Sequence, residues 1–224
     1  MPEWKPEPIW KGQDAFIIGG GTSLRRFNWD LLIGERTIGC NQAFRLGEEI
    51  CDIAIFGDFK FIVDPRDKQP RVCNYEPMSR FKNPVVTNDA KARVRKEPWI
   101  LWMPREHHGL HKHALGWNGN TGAAAINLAL ILGAVNVYLL GFDMHLDGDG
   151  KPNWHKEPLI DKPKQELYSR MITAFAHVCK DLRDKFPGCQ IVNVTDDSNL
   201  NMFPKVSVED FWRRRSGHGR IWTE

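Results

Sequence analysis

Residues 118–146 constrain the fold more than any other stretch of the chain. They read as a polar loop, an apolar helix over residues 123–132 and a short strand over residues 136–140, with Gly133 ending the helix. The helix is apolar on nearly every side, and the strand is β-branched and aromatic, which is typical of elements buried around a parallel sheet. We therefore expect an α/β fold with an open, mostly parallel sheet and helices on both faces.

The polar ends of this stretch indicate a binding site. Asn120, Thr121 and Gly122 stand at the start of the helix, where backbone N–H groups are free to bind an anion. Asp143 and His145 follow the strand, and open α/β sheets bind ligands at the carboxyl ends of their strands.

A glycine turn follows the first expected strand, residues 15–18, and precedes an expected helix over residues 24–32. Strand, glycine turn and helix form the usual phosphate cradle, in which backbone N–H groups face the ligand. The turn consists of Gly19, Gly20, Gly21, Thr22 and Ser23. A tight turn without a ligand is the alternative.

Several residues disfavour NAD as that ligand. Leu24 stands where the dinucleotide fingerprint has its third glycine. The second strand, residues 37–40, is followed by Asn41 and Gln42, where a NAD site has a carboxylate for the ribose. Amides donate and accept hydrogen bonds, so this pair suits a base edge or a ribose.

The middle of the chain offers a carboxylate and a histidine cluster. Asp58 comes directly after the third expected strand, residues 51–56, and is a candidate substrate-binding residue. Four histidines fall within residues 107–113, and His107 with His111 would form a metal pair on a helix. Because Gly109 disfavours a helix and no acidic or thiol ligand is near, we predict a mobile lid and no metal.

The expected organisation is a single domain over residues 14–206, with a tail before it and a helix and tail over residues 207–224. Residues 59–117 and 145–162 are expected as lid-like segments. The second of these carries His155, and histidine titrates near neutrality, so it is a candidate general base. Further strands are expected over residues 84–87, 99–103 and 189–194, and a long helix over residues 163–186.

The composition limits which binding partners and which cellular compartment are expected. The formal net charge is +3, which does not demand a polyanion, so nucleic-acid binding has no support from charge. The five cysteines form no CxxC pair, which favours reduced thiols and a cytoplasmic protein. No apolar run approaches the length of a membrane span.

The motifs together resemble a known group of proteins. They are GGGTSL after the first strand, CNQAF after the second, GNTGAAAINLALILGAVNVYLLGFDM at residues 119–144 and IVNVTDDSNLNMFPK at residues 191–205. They resemble a group of phage and bacterial proteins with a Rossmann-like domain. That group is similar to the bacterial sialyltransferases and, more remotely, to the archaeal hydroxymethylpterin diphosphokinases.

The resemblance implies a glycosyltransferase that uses a nucleotide-sugar donor without metal or other cofactor. Gly19, Gly21, Ser23, Asn41 and Gln42, with Asn120, Thr121 and Gly122, would surround the nucleotide, and His155 would be the base. The sequence departs from the sialyltransferase pattern where Met144-His145 replaces Phe-Tyr. His145, as an imidazolium, would then act on the leaving phosphate, and Asp143 would orient the acceptor or His155.

Two alternatives remain open from the sequence. One is diphosphoryl transfer from ATP, with Mg²⁺ held by Asp58 and Asp143. The other is a nucleotide-binding or phage-assembly module without catalysis, because a fold does not fix its chemistry.

Overall fold

A seven-stranded parallel sheet forms the centre of the molecule in the computed structural model, which describes residues 1–62, 74–156, 165–216 and residue 221. In chain order its strands are β1 (Asp14–Ile18), β2 (Thr37–Cys40), β3 (Ile53–Phe56), β4 (Val85–Thr87), β5 (Ile100–Trp102), β8 (Asn136–Leu140) and β9 (Gln190–Asn193). A separate pair is formed by β6 (Arg105–Glu106) and β7 (Leu115–Gly116). The expected α/β class is confirmed, and every strand pair within the described ranges is parallel.

The strand order places a topological switch beside β1. The order is β5-β4-β3-β2-β1-β8-β9, so the chain runs outward from β1 and then returns to its other side. β1 and β8 end together, with Ile18 opposite Leu140. The carboxyl edge between these two strands is the place where open α/β sheets bind ligands.

Within the described ranges, the α-helices that flank the sheet are α1 (Tyr75–Ser79), α2 (Ala90–Arg95), α3 (Thr121–Ile131), α4 (Gln165–Lys185) and α5 (Val208–Ser216). Residues 123–130 of α3 are all buried, as the apolar sequence predicts. Phe175 and Val178 of α4 join α3 in one core with Ile17 and Leu139 of the sheet.

The opposite face is closed by α5 and by short 3₁₀ helices. Phe16 of β1 stacks on Trp212 of α5, with ring centroids 5.6 Å apart. Leu24 and Phe27 fill the same apolar cluster. Arg215 binds Asp14 and Glu35, which fixes α5 to the sheet.

The helix expected over residues 24–32 is wrong. Two 3₁₀ helices, Thr22–Leu24 and Trp29–Leu32, lie there instead. Asn28 separates them, because its backbone is extended and its side chain accepts a hydrogen bond from the N–H of Asp30. Leu24, Phe27 and Leu32 are buried, so tertiary packing holds a path that is not a regular helix.

Trp4 and Trp10 anchor the mostly exposed first residues of the chain to the fold. The N–H of Trp4 donates to the carbonyl of Trp102 at the end of β5, with a distance of 2.8 Å. Trp10 is buried and donates its N–H to the carbonyl of Leu132. The expected lid-like residues 59–117 also supply β4 and β5 to the main sheet.

In the described ranges, none of the helices has both the length and the apolar character that crossing a bilayer requires.

Candidate functional site

Asp143 joins the two strands at the switch point. It follows β8, is 3% exposed, and accepts hydrogen bonds from the backbone N–H of Ser23 at 2.9 Å and from its hydroxyl at 2.6 Å. Thr22 makes a longer contact of 3.4 Å with the same carboxylate. These contacts place Asp143 on the glycine turn. Its carboxylate there occupies the backbone N–H of Ser23, a donor that a bound phosphate would otherwise use.

Close packing explains why the turn contains glycine. A Cβ atom on Gly21 would lie 2.1 Å from Oδ1 of Asp143 and 2.6 Å from the carbonyl oxygen of Gly141. A Cβ atom on Gly19 would lie 2.7 Å from that same oxygen. Any larger residue would separate β1 from β8 at the predicted nucleotide site.

Asn41 and Thr121 meet across the sheet edge. Asn41 follows β2 with φ of 53°, a left-handed conformation that costs free energy in a residue other than glycine. Its Oδ1 lies 3.5 Å from the hydroxyl of Thr121, the first residue of α3. Asn120 caps this helix by accepting the N–H of Ala123 at 2.8 Å. The structure thus brings together the amide and the helix start that the sequence indicated.

Gln42 is fully buried beside them. Its Oε1 accepts a hydrogen bond from Nε of Arg45 at 2.8 Å, which fixes the orientation of the amide. Nε2 has no hydrogen-bond partner in the described part of the chain. The Nε2 of Gln42 is therefore an unused donor, which a ligand could reach only after the site opens.

The loop that carries His155 lies on the glycine turn. Trp154 donates its backbone N–H to the carbonyl of Gly20 and its indole N–H to the carbonyl of Gly19, each at 2.9 Å. Arg25 and Asp147 form an ion pair of 2.5 Å that ties the same loop to the turn. The His155 ring packs edge-on against Trp154, so the loop holds His155 beside the glycine turn.

His145 is held by both ring nitrogens. Nδ1 lies 2.9 Å from the carbonyl oxygen of Leu146, and Nε2 lies 2.8 Å from that of Asp197. Burial lowers the pKa of His145, but these two acceptors and the charges of Asp143 and Asp197 outweigh it, so the pKa is raised. Two carbonyl acceptors are satisfied together only by the imidazolium, so His145 offers a site its positive charge rather than a free N–H.

Met144 has an unusual backbone at the start of this loop. Its φ is 57°, which is an outlier for a long side chain. The carbonyl of Met144 accepts hydrogen bonds from Gln165 of α4 at 3.3 Å and from Asn199 at 3.4 Å. Contacts from two other segments therefore hold the conformation that directs the chain from β8 into the His155 loop.

Sequence reasoning missed three residues at this edge. Tyr168 of α4 lies near Asp143, and burial together with that charge raises the pKa of Tyr168 to about 12. Trp154 anchors the loop, and Arg105 packs on Trp117 just before α3. The sequence carries no signal for Arg105 or Trp154, because each depends on contacts distant in the chain.

The remaining predicted residues make contacts with nearby elements. Asp58 is exposed and caps the 3₁₀ helix Phe59–Phe61 by accepting the N–H of Lys60 at 3.0 Å. The histidine segment forms the loop between β6 and β7, where His108 stacks on His177 of α4 at 4.6 Å. The N–H of Leu110 donates to Asp181, so this loop is docked on α4. Among the described residues, no group of three or more His, Cys, Asp or Glu side chains could hold a metal ion.

Comparison with known proteins gives structural neighbours only. No protein-family model matches the chain, and no curated protein sequence matches it. The fold is similar to that of the sialyltransferase CstII from Campylobacter jejuni in complex with cytidine-5'-monophosphate, a substrate analogue. That comparison gives a TM-score of 0.51 and 12% identity over 88% of this chain and 86% of the other.

A second structure, the sialyltransferase CST-II with a trisaccharide acceptor and CMP, matches with a TM-score of 0.50. The identity is 13% over 95% of this chain and 91% of the other. At such low identity the likeness establishes a shared architecture: the chain has the Rossmann-like fold that these sialyltransferases adopt.

Proposed function

We propose that this protein is a glycosyltransferase that uses a CMP-activated sugar as its donor. The observation that carries the proposal is the meeting of Asn41 and Thr121 at the carboxyl edge of the sheet, the same edge at which the His155 loop lies on the glycine turn. The shared fold with two CMP-bound sialyltransferases supports the same choice of nucleotide.

In the proposed reaction, an acceptor hydroxyl attacks the anomeric carbon of the donor sugar. The bond from that carbon to the phosphate oxygen breaks, and CMP leaves with the bonding electrons. His155 takes the proton of the acceptor hydroxyl. The start of α3, where Thr121 and Gly122 lead the helix, stabilises the charge of the departing phosphate.

His145 contributes its charge to the same step. Its raised pKa and the two carbonyl oxygens at its ring nitrogens favour the imidazolium, which would act through its charge without donating to the phosphate directly. Asp143 holds the glycine turn in shape through Ser23. No metal ion has a role in this scheme.

Nucleotide binding is tested with Asn41→Gly. Glycine accepts the left-handed backbone, so this variant removes the side chain without adding strain. We expect CMP to raise the melting temperature of the wild-type protein, and we expect the variant to bind CMP about tenfold more weakly by calorimetry, the effect of losing about one hydrogen bond. Binding of ADP but not CMP, with activity lost on chelation, would contradict the proposal.

Catalysis is tested with His155→Ala and CMP-N-acetylneuraminic acid. Release of CMP should fall by about 10² or more with CMP affinity retained, as for loss of a general base. His113→Ala is the matched control, because His113 is an exposed histidine in the loop between β6 and β7. Equal turnover in the two variants would remove His155 from the mechanism.

A further inference from the structure

Arg105 occupies a fixed position at the carboxyl edge of β3 and β4. Its Nε donates to the carbonyl of Asn88 at 3.2 Å, and its Nη2 donates to the side-chain oxygen of Asn88 at 2.9 Å and to the carbonyl of Gly57. The guanidinium carbon lies 4.5 Å from the centre of the Trp117 ring. A cation stacked on an indole and bonded on one side has little freedom to move.

One nitrogen of this guanidinium remains available. The three bonds use the N–H group of Nε and the two N–H groups of Nη2, and no described residue accepts a hydrogen bond from Nη1. The side chain is 29% exposed. Arg105 therefore presents two N–H donors on one nitrogen, which suits single oxygen atoms rather than a paired carboxylate.

The charges around Arg105 select against an anion. Desolvation lowers the pKa of Arg105, and the carboxylates of Asp89 and Asp58 oppose that effect. Asp89 lies 3.9 Å from the guanidinium and accepts the N–H groups of Phe59 and Lys91. Two carboxylates already face this guanidinium, so an uncharged polar group is the better partner for Nη1.

Asp58 complements the donors of Arg105. It is exposed, it follows Gly57 directly, and within the described ranges its only hydrogen bond uses Oδ1. A sugar hydroxyl donates one hydrogen bond and accepts others, so it can bridge a carboxylate oxygen and a guanidinium N–H. The buried Nδ2 of Asn88, which has no partner in the described part of the chain, adds a further donor beside Arg105.

We propose that Asp58, Arg105 and Trp117 form a binding subsite for the saccharide that receives the transferred sugar. This rests on the proposed function, because it names the acceptor class of the same reaction. Trp117 directly precedes the loop to α3, and its carbonyl accepts the N–H of Asn120. The subsite therefore adjoins the nucleotide residues, and the two carboxylates that face Arg105 favour an uncharged acceptor over the anionic donor.

The test uses the full chain saturated with CMP and a glycan array, with affinities for bound glycans measured by calorimetry. Asp58→Asn keeps the capping oxygen and the shape but removes the charge, and we expect at least a tenfold loss of glycan affinity. Arg105→Lys should cause a similar loss. Asp52→Asn is the control, because Asp52 also accepts a backbone N–H but lies at the opposite edge of the sheet.

The results separate this inference from the proposed function. Glycan binding that falls in Asp58→Asn and persists in Asp52→Asn, with CMP affinity unchanged in both, supports the subsite. CMP binding by the wild-type protein without any glycan binding overturns the subsite and leaves the transferase proposal standing. Equal glycan affinity in Asp58→Asn and wild type also overturns it. A protein that does not bind CMP contradicts the proposed function itself.

Discussion

Removal of the Asp143 carboxylate should strongly destabilise the fold. In Asp143→Ala, the N–H and the hydroxyl of the half-buried Ser23 lose their acceptor, a carboxylate whose residue is 3% exposed in the native protein. A hydrogen bond to a charged group contributes roughly 1.5 to 3 kcal/mol. Two such bonds give an expected loss of about 3 to 6 kcal/mol, and the 3.4 Å contact of Thr22 adds little.

Urea denaturation followed by circular dichroism measures this loss. A double-mutant cycle with Ser23→Ala isolates the hydroxyl bond, and we expect a coupling free energy of about 1.5 to 3 kcal/mol. Asp196→Ala, an exposed carboxylate after β9, should change the free energy of unfolding by less than about 0.5 kcal/mol. A loss below about 1 kcal/mol in Asp143→Ala, or a coupling near zero, would refute this account of the turn.

Three further predictions concern the same edge of the sheet. Because the pKa of His145 is raised by folding, protonated His145 stabilises the fold below the unfolded pKa of about 6.5, and this stabilisation is lost as pH rises through the folded pKa. The difference in free energy of unfolding between wild type and His145→Gln, measured by urea titration, should therefore shrink as pH is raised. Gly57→Ala places a Cβ atom 1.7 Å from the Trp117 ring and should cost about 1 to 3 kcal/mol in thermal denaturation, whereas Gly148→Ala, with nothing near its Cβ, should cost far less. Trp154→Phe removes the indole bond to Gly19 and should speed amide hydrogen exchange in residues 145–156; unchanged exchange would show that the loop is held elsewhere.

Local patterns in the sequence were enough to predict the sheet. The strands Thr37–Cys40 and Asn136–Leu140 have the expected bounds, and the other five strands of the main sheet differ from expectation by one or two residues at one or both ends. A central strand of a parallel sheet is buried on both faces, so its sequence is a short apolar run between turn residues, which can be recognised locally. The carboxyl-edge position of Asn41 and Thr121 followed from the same rule, because parallel strands all end at one edge.

What the sequence did not predict depends on contacts between distant segments. Asn28 is a good N-cap residue, but the break into two 3₁₀ helices also depends on distant packing, since buried partners of Leu24 and Phe27 lie in α5. Arg105 owes its position to Gly57, Asn88 and Trp117, which are spread over sixty residues of the chain. The engagement of Asp143 with Ser23 spans 120 positions, so sequence spacing could not separate a ligand site from an internal contact.

The left-handed backbone of Met144 has a consequence for how the site can be altered. That conformation is held from outside by Gln165 and Asn199, so the direction of the loop depends on three segments acting together. Relaxing any one of them lets the chain leave β8 at a different angle and carries His155 away from the sheet edge. Engineering of this protein for greater rigidity should therefore leave residue 144 unchanged, because a backbone with negative φ there would redirect the segment that bears His155.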